Sequence, residues 1–183
     1  AWGRGVVRQG SEGLKLVTGL PDLSLDDGKL NYTVANFKTE LYPQLSKEDK
    51  KLIDLFYLKF DNENLLKLLK DKEAVIDASL GNYSVDELLS VINSFKEELP
   101  PDKKFPSYFY QFAALYLDSS EEERIGIEDQ LYGYYYDYAM SSSNAFVSSW
   151  YELNLNVNNI LSALSARKYK MDVARVLCSY EQR

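Results

Sequence analysis

The chain has 183 residues, 21 of them basic and 28 acidic, for a net charge of −7. That balance argues against a nucleic-acid partner, because phosphate binding depends on clustered Lys and Arg to neutralise the backbone. There is no histidine and one cysteine, which removes His-based catalysis, a Cys-His pair and an internal disulfide framework.

The first residues, AWGRGVVRQGSEG, lack the apolar core of a signal peptide, and residues 1–14 read as a processed or appended leader outside the fold. Leu16 to Thr18 followed by GLPDL reads as a short extended segment and a turn, with Pro21 fixing φ. After a polar stretch from Ser24 to Lys29, Val34, Phe37 and Leu41 recur at helical spacing, and Pro43 ends that helix. Ser46 with Asp49 offers the next helix start, which carries Leu52, Leu55 and Phe56 forward. In the stretch from Leu55 to Lys72, Asp61 reads as an N-cap, with Leu65, Leu66 and Leu69 as a buried stripe and Lys72 as a basic end. Gly81-Asn82 marks a connector, and Ser84 with Glu87 forms a capping box before Leu88, Leu89, Ile92 and Phe95.

Pro100-Pro101 is the strongest boundary, since a helix cannot easily pass two prolines. It divides a first helical lobe, residues 15–99, from a second, residues 100–183. Pro106 opens a helix in which Phe109, Phe112, Ala113 and Tyr116 share a face. Ser120 and Glu123 cap a long helix to about Met140, where Tyr132, Tyr135 and Tyr136 supply ring area and Gly133 permits a close approach. Ser141 to Asn144 is a break or a polar patch, and Val173, Val176, Leu177 and Tyr180 outline a last helix containing Cys178 as a small buried hydrophobe. The fold class is therefore all-α, and no apolar run is long enough to cross a bilayer.

Trp150 to Tyr169 repeats the earlier stretch in outline at an offset of 95 residues, Asn159 falling on Asn64. Ile160, Leu161 and Leu164 fall on Leu65, Leu66 and Leu69, Asn156 on Asp61, and Arg167 on Lys72. Two related helical lobes with equivalent buried stripes are expected. The run NVNNILSALSARKY resembles a signature of the C-type subunit family of V-type ATPases, called d in some organisms. Leu16 to Leu30 is similar to the opening of a shorter bacterial branch associated with V-type ATPases.

That resemblance implies a non-catalytic part of the central stalk, a socket between the rotor shaft and the membrane ring of proteolipid subunits. It would be cytoplasmic, peripheral on the membrane through its complex, with no cofactor and no metal. Tyr134 and Tyr138 on the long helix, with the basic end Arg167 and Lys168, are its candidate interface residues. The competing class is an all-helical scaffold or adaptor unrelated to an ion pump. No phosphate-binding loop is present, and the carboxylate neighbours Glu128–Asp129 and Asp26–Asp27 point apart rather than converge, so an enzyme is not expected.

Overall fold

Asp61, Asn62 and Asn64 look in sequence like a polar interruption, yet they lie inside one continuous helix from Lys47 to Lys70. The computed structural model describes residues 25–26, 29–30 and 33–171. It begins with a minimal antiparallel ladder, β1 (Leu25–Asp26) against β2 (Lys29–Leu30), with Leu25 opposite Leu30. From Thr33 onward the regular structure described is helical: α1 (Val34–Leu41), a 3-10 turn (Tyr42–Gln44), α2 (Lys47–Lys70), α3 (Val85–Lys96), α4 (Ser107–Asp118), α5 (Glu121–Met140) and α6 (Ala145–Tyr169). The expected helix from Val173 to Tyr180 and the Leu16–Thr18 segment lie outside the described residues.

The helix starts follow the capping chemistry. Thr33 accepts the Asn36 N–H and its own N–H donates to the Asn36 side chain. Ser84 and Glu87 bond reciprocally at 2.7 and 3.3 Å, and the Ser120 N–H donates to Glu123 at 2.9 Å. Each such cap contributes about 1 kcal/mol. Asn144 caps α6 by accepting the Val147 N–H at 3.2 Å, so Ser141–Asn144 is a true break.

The chain divides into two compact units, residues 1–54 and 55–183, with the boundary inside α2. In the first, the Tyr42 hydroxyl donates to Asp54, and Lys38 lies 5.3 Å from the Tyr42 ring centre. Burial raises the Asp54 carboxyl above its ordinary value, with Lys38 pulling the other way. In the second, α3 packs on α4, α4 on α5 and α5 on α6. Leu65, Leu68, Leu88, Val91, Ile92, Phe109, Phe112 and Leu131 fill its core. Pro100-Pro101 sits in the loop between α3 and α4, within this second unit.

Aromatic rings link the last helices. Tyr135 and Tyr151 meet edge to face at 5.4 Å, and Phe56 stacks on Tyr151 at 5.6 Å. The Tyr135 hydroxyl donates to the Leu55 carbonyl at 2.9 Å and lies 2.6 Å from the Tyr151 hydroxyl. Burial pushes the Tyr151 phenol up to about 12 and Tyr135 higher still, so both stay neutral donors. Several of the fifteen tyrosines are thus used as buried rings with a satisfied hydroxyl.

Three expectations are corrected. Asp61 does not start a helix: it is fully buried, and its carboxylate accepts the N–H groups of Asn82 at 2.9 Å and Tyr83 at 3.1 Å. It fixes the loop that leads into α3, while Asn64 holds the Asp77 carbonyl at 2.9 Å and Asn62 accepts the Tyr108 hydroxyl at 2.7 Å. Asp61 and Asn64 find tertiary partners and Asn62 finds one for its oxygen, its amide nitrogen being buried without one, so the helix runs on unbroken. The two stretches related by 95 residues are not equivalently buried: Leu65 is at 0% exposure, whereas Ile160, Leu161 and Leu164 are all above half exposed. Asn156 is likewise exposed within the uninterrupted α6, so the sequence repeat reflects two amphipathic helices rather than one unit used twice. Finally, a Cβ built on Gly133 meets nothing within 4 Å, so that glycine permits no close approach. Among the described glycines it is Gly81 that does, since a Cβ there would lie 2.3 Å from the Asp61 carboxylate.

Candidate functional site

Helix α6 is apolar on two sides. Its 25 residues pack inward through Val147, Tyr151, Leu155 and Ala166, each buried to 5% exposure or less. A second apolar row, Phe146, Trp150, Leu153, Val157, Ile160 and Leu164, is between 45% and 71% exposed, with Leu161 beside it. At 100° per residue the second row lies roughly opposite the first. An ordinary surface helix keeps one apolar stripe for the core and a polar face for water. The exposed row runs from 146 to 164, a strip ~27 Å long at 1.5 Å per residue.

The ends of the strip differ. Asn144 caps its start, and Arg167, Lys168 and Lys170 lie exposed at its finish, where cations favour the negative end of the helix dipole. Lys170 takes the left-handed conformation at φ 55, and the Met171 N–H closes the helix on the Ala166 carbonyl at 2.8 Å. The Lys168 ammonium lies 5.4 Å from the Tyr169 ring centre.

The residues expected at an interface fall at separate places. Arg167 and Lys168 stand at the C-terminal end of α6. Tyr138 lies near the C-terminal end of α5, with its ring 5.4 Å from Tyr108, and is 37% exposed. Ser148 on α6 bonds the Met140 carbonyl, so Tyr138 is near the opposite end of α6 from Arg167, ~28 Å along the axis. Tyr134 is half-buried on α5. Sequence reasoning places Ile160, Leu161 and Leu164 in the core and passes over Phe146, Leu153 and Val157. The signal for the exposed row is present in the 4-3-4-3-4 spacing from Phe146 to Leu164.

Such a strip can bury apolar surface against another helix, and its chemistry is that of binding. Among the described residues no helix is long and apolar enough to cross a membrane, and no group of three or more Cys, Asp and Glu is placed to hold a metal ion.

A family model for proteins of unknown function, DUF2764, matches residues 13–182. The chain belongs to the DUF2764 family. This corrects the resemblance to the C-type (or d) family of V-type ATPase subunits. Of the stretches that carried it, Asn156 to Tyr169 amounts to apolar residues at helical spacing and a basic helix end, a pattern that amphipathic helices share at large, and Leu16 to Leu30 lies mostly outside the described residues. Comparisons of this DUF2764 chain with curated proteins and with solved structures find no match.

Proposed function

We propose that this DUF2764 chain is a non-catalytic, all-helical docking protein that works by binding other polypeptides along α6. The observation that carries the proposal is the exposed apolar row from Phe146 to Leu164 on a helix whose other side is already packed. Apolar patches of this extent mark interaction surfaces, because leaving them in water forfeits ~25 cal/mol for every Å² that burial would remove.

The assembly to test first is a rotary V-type ATPase. There the chain would join the central stalk on the cytoplasmic side, between the rotor shaft and the membrane proteolipid ring, and pass torque rather than catalyse. What the chain offers this assembly is the exposed apolar row of α6 and the exposed basic end at Arg167 and Lys168. A free helical adaptor is the second reading, favoured by the same exposed row. Co-purification decides between them: recovery of ATPase shaft or ring subunits with the tagged chain supports the stalk, and their absence supports the adaptor. Changing Arg167 and Lys168 to Glu should release those subunits while leaving the helical signal intact.

A further inference from the structure

We infer that the exposed face of α6 is an interface between two copies of this chain, formed by antiparallel pairing of α6 with α6 about a two-fold axis beside position 155. The inference rests on reading that face as a docking surface and names its occupant.

The spacing is that of a coiled-coil seam. Phe146, Trp150, Leu153, Val157, Ile160 and Leu164 follow one another at intervals of 4, 3, 4, 3 and 4 residues, which places Trp150, Val157 and Leu164 at one heptad position and Phe146, Leu153 and Ile160 at the other. A seam of this period drifts only ~20° per heptad around a straight helix, so all six side chains stay in reach of one partner helix. A helix-wide amphipathic face meant for solvent would not hold this register over 19 consecutive positions, 146 to 164, with each member at least 45% exposed.

The row is self-complementary. A two-fold interface requires that if residue i meets j, then j meets i. With the axis beside position 155, Phe146 meets the other copy's Leu164, Trp150 its Ile160 and Leu153 its Val157, and the same three layers repeat on the far side of the axis. No seam residue is left without an apolar partner, and each aromatic ring faces an aliphatic chain. Parallel pairing would instead stack Trp150 on Trp150 and set Arg167 against Arg167.

Charge favours the same arrangement. The residues flanking the seam, Ser149, Asn154, Asn156, Leu161 and Ala163, carry no charge. Coiled coils that select a different partner do so with charges at those positions, and nothing there repels a second copy. Antiparallel pairing also carries Arg167 and Lys168 away from their counterparts and sets them beside the other copy's Ser142 and Ser143. The area is of the right order. Seven side chains of ~150–200 Å², about half exposed, offer ~600 Å², against the ~800 Å² that each partner of a standard interface buries.

Sedimentation equilibrium on the purified chain alone, from about 1 to 200 μM, tests the inference. The expected mass at the upper end is twice the 21.0 kDa of the chain. Leu153→Glu or Ile160→Glu should weaken the dimer by ~100-fold or more, because each buries an unpaired charge twice across the axis. Both sites are exposed in the single chain, so circular dichroism should be unchanged. Mixing a Leu153→Glu chain with a Val157→Lys chain should restore dimers, since the antiparallel register sets 153 against 157. A chain that remains a monomer throughout, a dimer indifferent to both Glu variants, or a mixture that stays monomeric would overturn the inference. A monomer that still recovers ATPase subunits would sink the self-pairing and leave the docking function standing, whereas a dimer that recovers none would sink the stalk reading and leave the self-pairing standing.

Discussion

Replacing Asp61 with Ala should destabilise the fold far more than replacing Asn156, the residue that sequence alignment sets opposite it. The Asp61 carboxylate is at 0% exposure and accepts the Asn82 N–H through both oxygens at 2.9 Å and the Tyr83 N–H at 3.1 Å. Two backbone donors lose a charged acceptor in the Ala variant. At ~1.5–3 kcal/mol for each donor bonded to a charged group, the expected loss is about 3–6 kcal/mol. Asp61→Asn keeps an oxygen in place and should cost less, about 1–2 kcal/mol. Asn156→Ala changes an exposed position and should fall within about 0.5 kcal/mol of the parent. Urea unfolding followed by circular dichroism gives the midpoints, with an unchanged slope certifying a like-for-like comparison. Equal effects at 61 and 156 would refute the assignment of Asp61 as the tie that holds the loop into α3.

Other outcomes follow from single positions. Gly126→Ala and Gly133→Ala should each raise stability by about 0.5–1 kcal/mol in the same assay, because both glycines are helical and a Cβ on either meets open space. Gly81→Ala should do the opposite, its Cβ colliding with the Asp61 carboxylate at 2.3 Å. Lys170→Gly should stabilise by about 0.5–1 kcal/mol by relieving the left-handed backbone at φ 55. Acid should loosen the starts of α3 and α5. Glu87, held low chiefly by Lys104 and then Ser84, and Glu123, held low by Ser120, both have folded-state carboxyls below the ordinary 4.5. Their contribution is present above pH 4.5 and fades as pH falls through the lower folded values, so Glu87→Gln with Glu123→Gln should flatten that part of a stability–pH profile. Titration calorimetry with magnesium and ATP should show no saturable binding, as the sequence carries no phosphate-cradling loop.

Helix starts are the most legible part of the fold, because Ser46, Ser84 and Ser120 act within three residues of themselves and need no tertiary context. The face of α4 is legible for a related reason: Phe109, Phe112, Ala113 and Tyr116 have one apolar stripe and it is the buried one. Asp61 misleads because a buried, satisfied carboxylate and a helix-capping carboxylate look alike in sequence. Only the position of Asn82 and Tyr83 separates them, and that is set by the return of the chain about 20 residues on. α6 misleads for a different reason. It carries two apolar rows, and local periodicity cannot say which of them meets the core. Tyr151 decides it through its contacts with Tyr135 and Leu55, which are distant in sequence.

The docking role on α6 is tested most directly by isolating the tagged, unaltered chain from its native cells and identifying what comes with it. The expected result is recovery of V-type ATPase shaft or ring subunits, lost when Arg167 and Lys168 are changed to Glu with the helical signal retained. Recovery of no ATPase subunit by the unaltered chain would contradict the stalk assignment, and recovery undiminished by the charge reversal would contradict the place of the basic end of α6 in it.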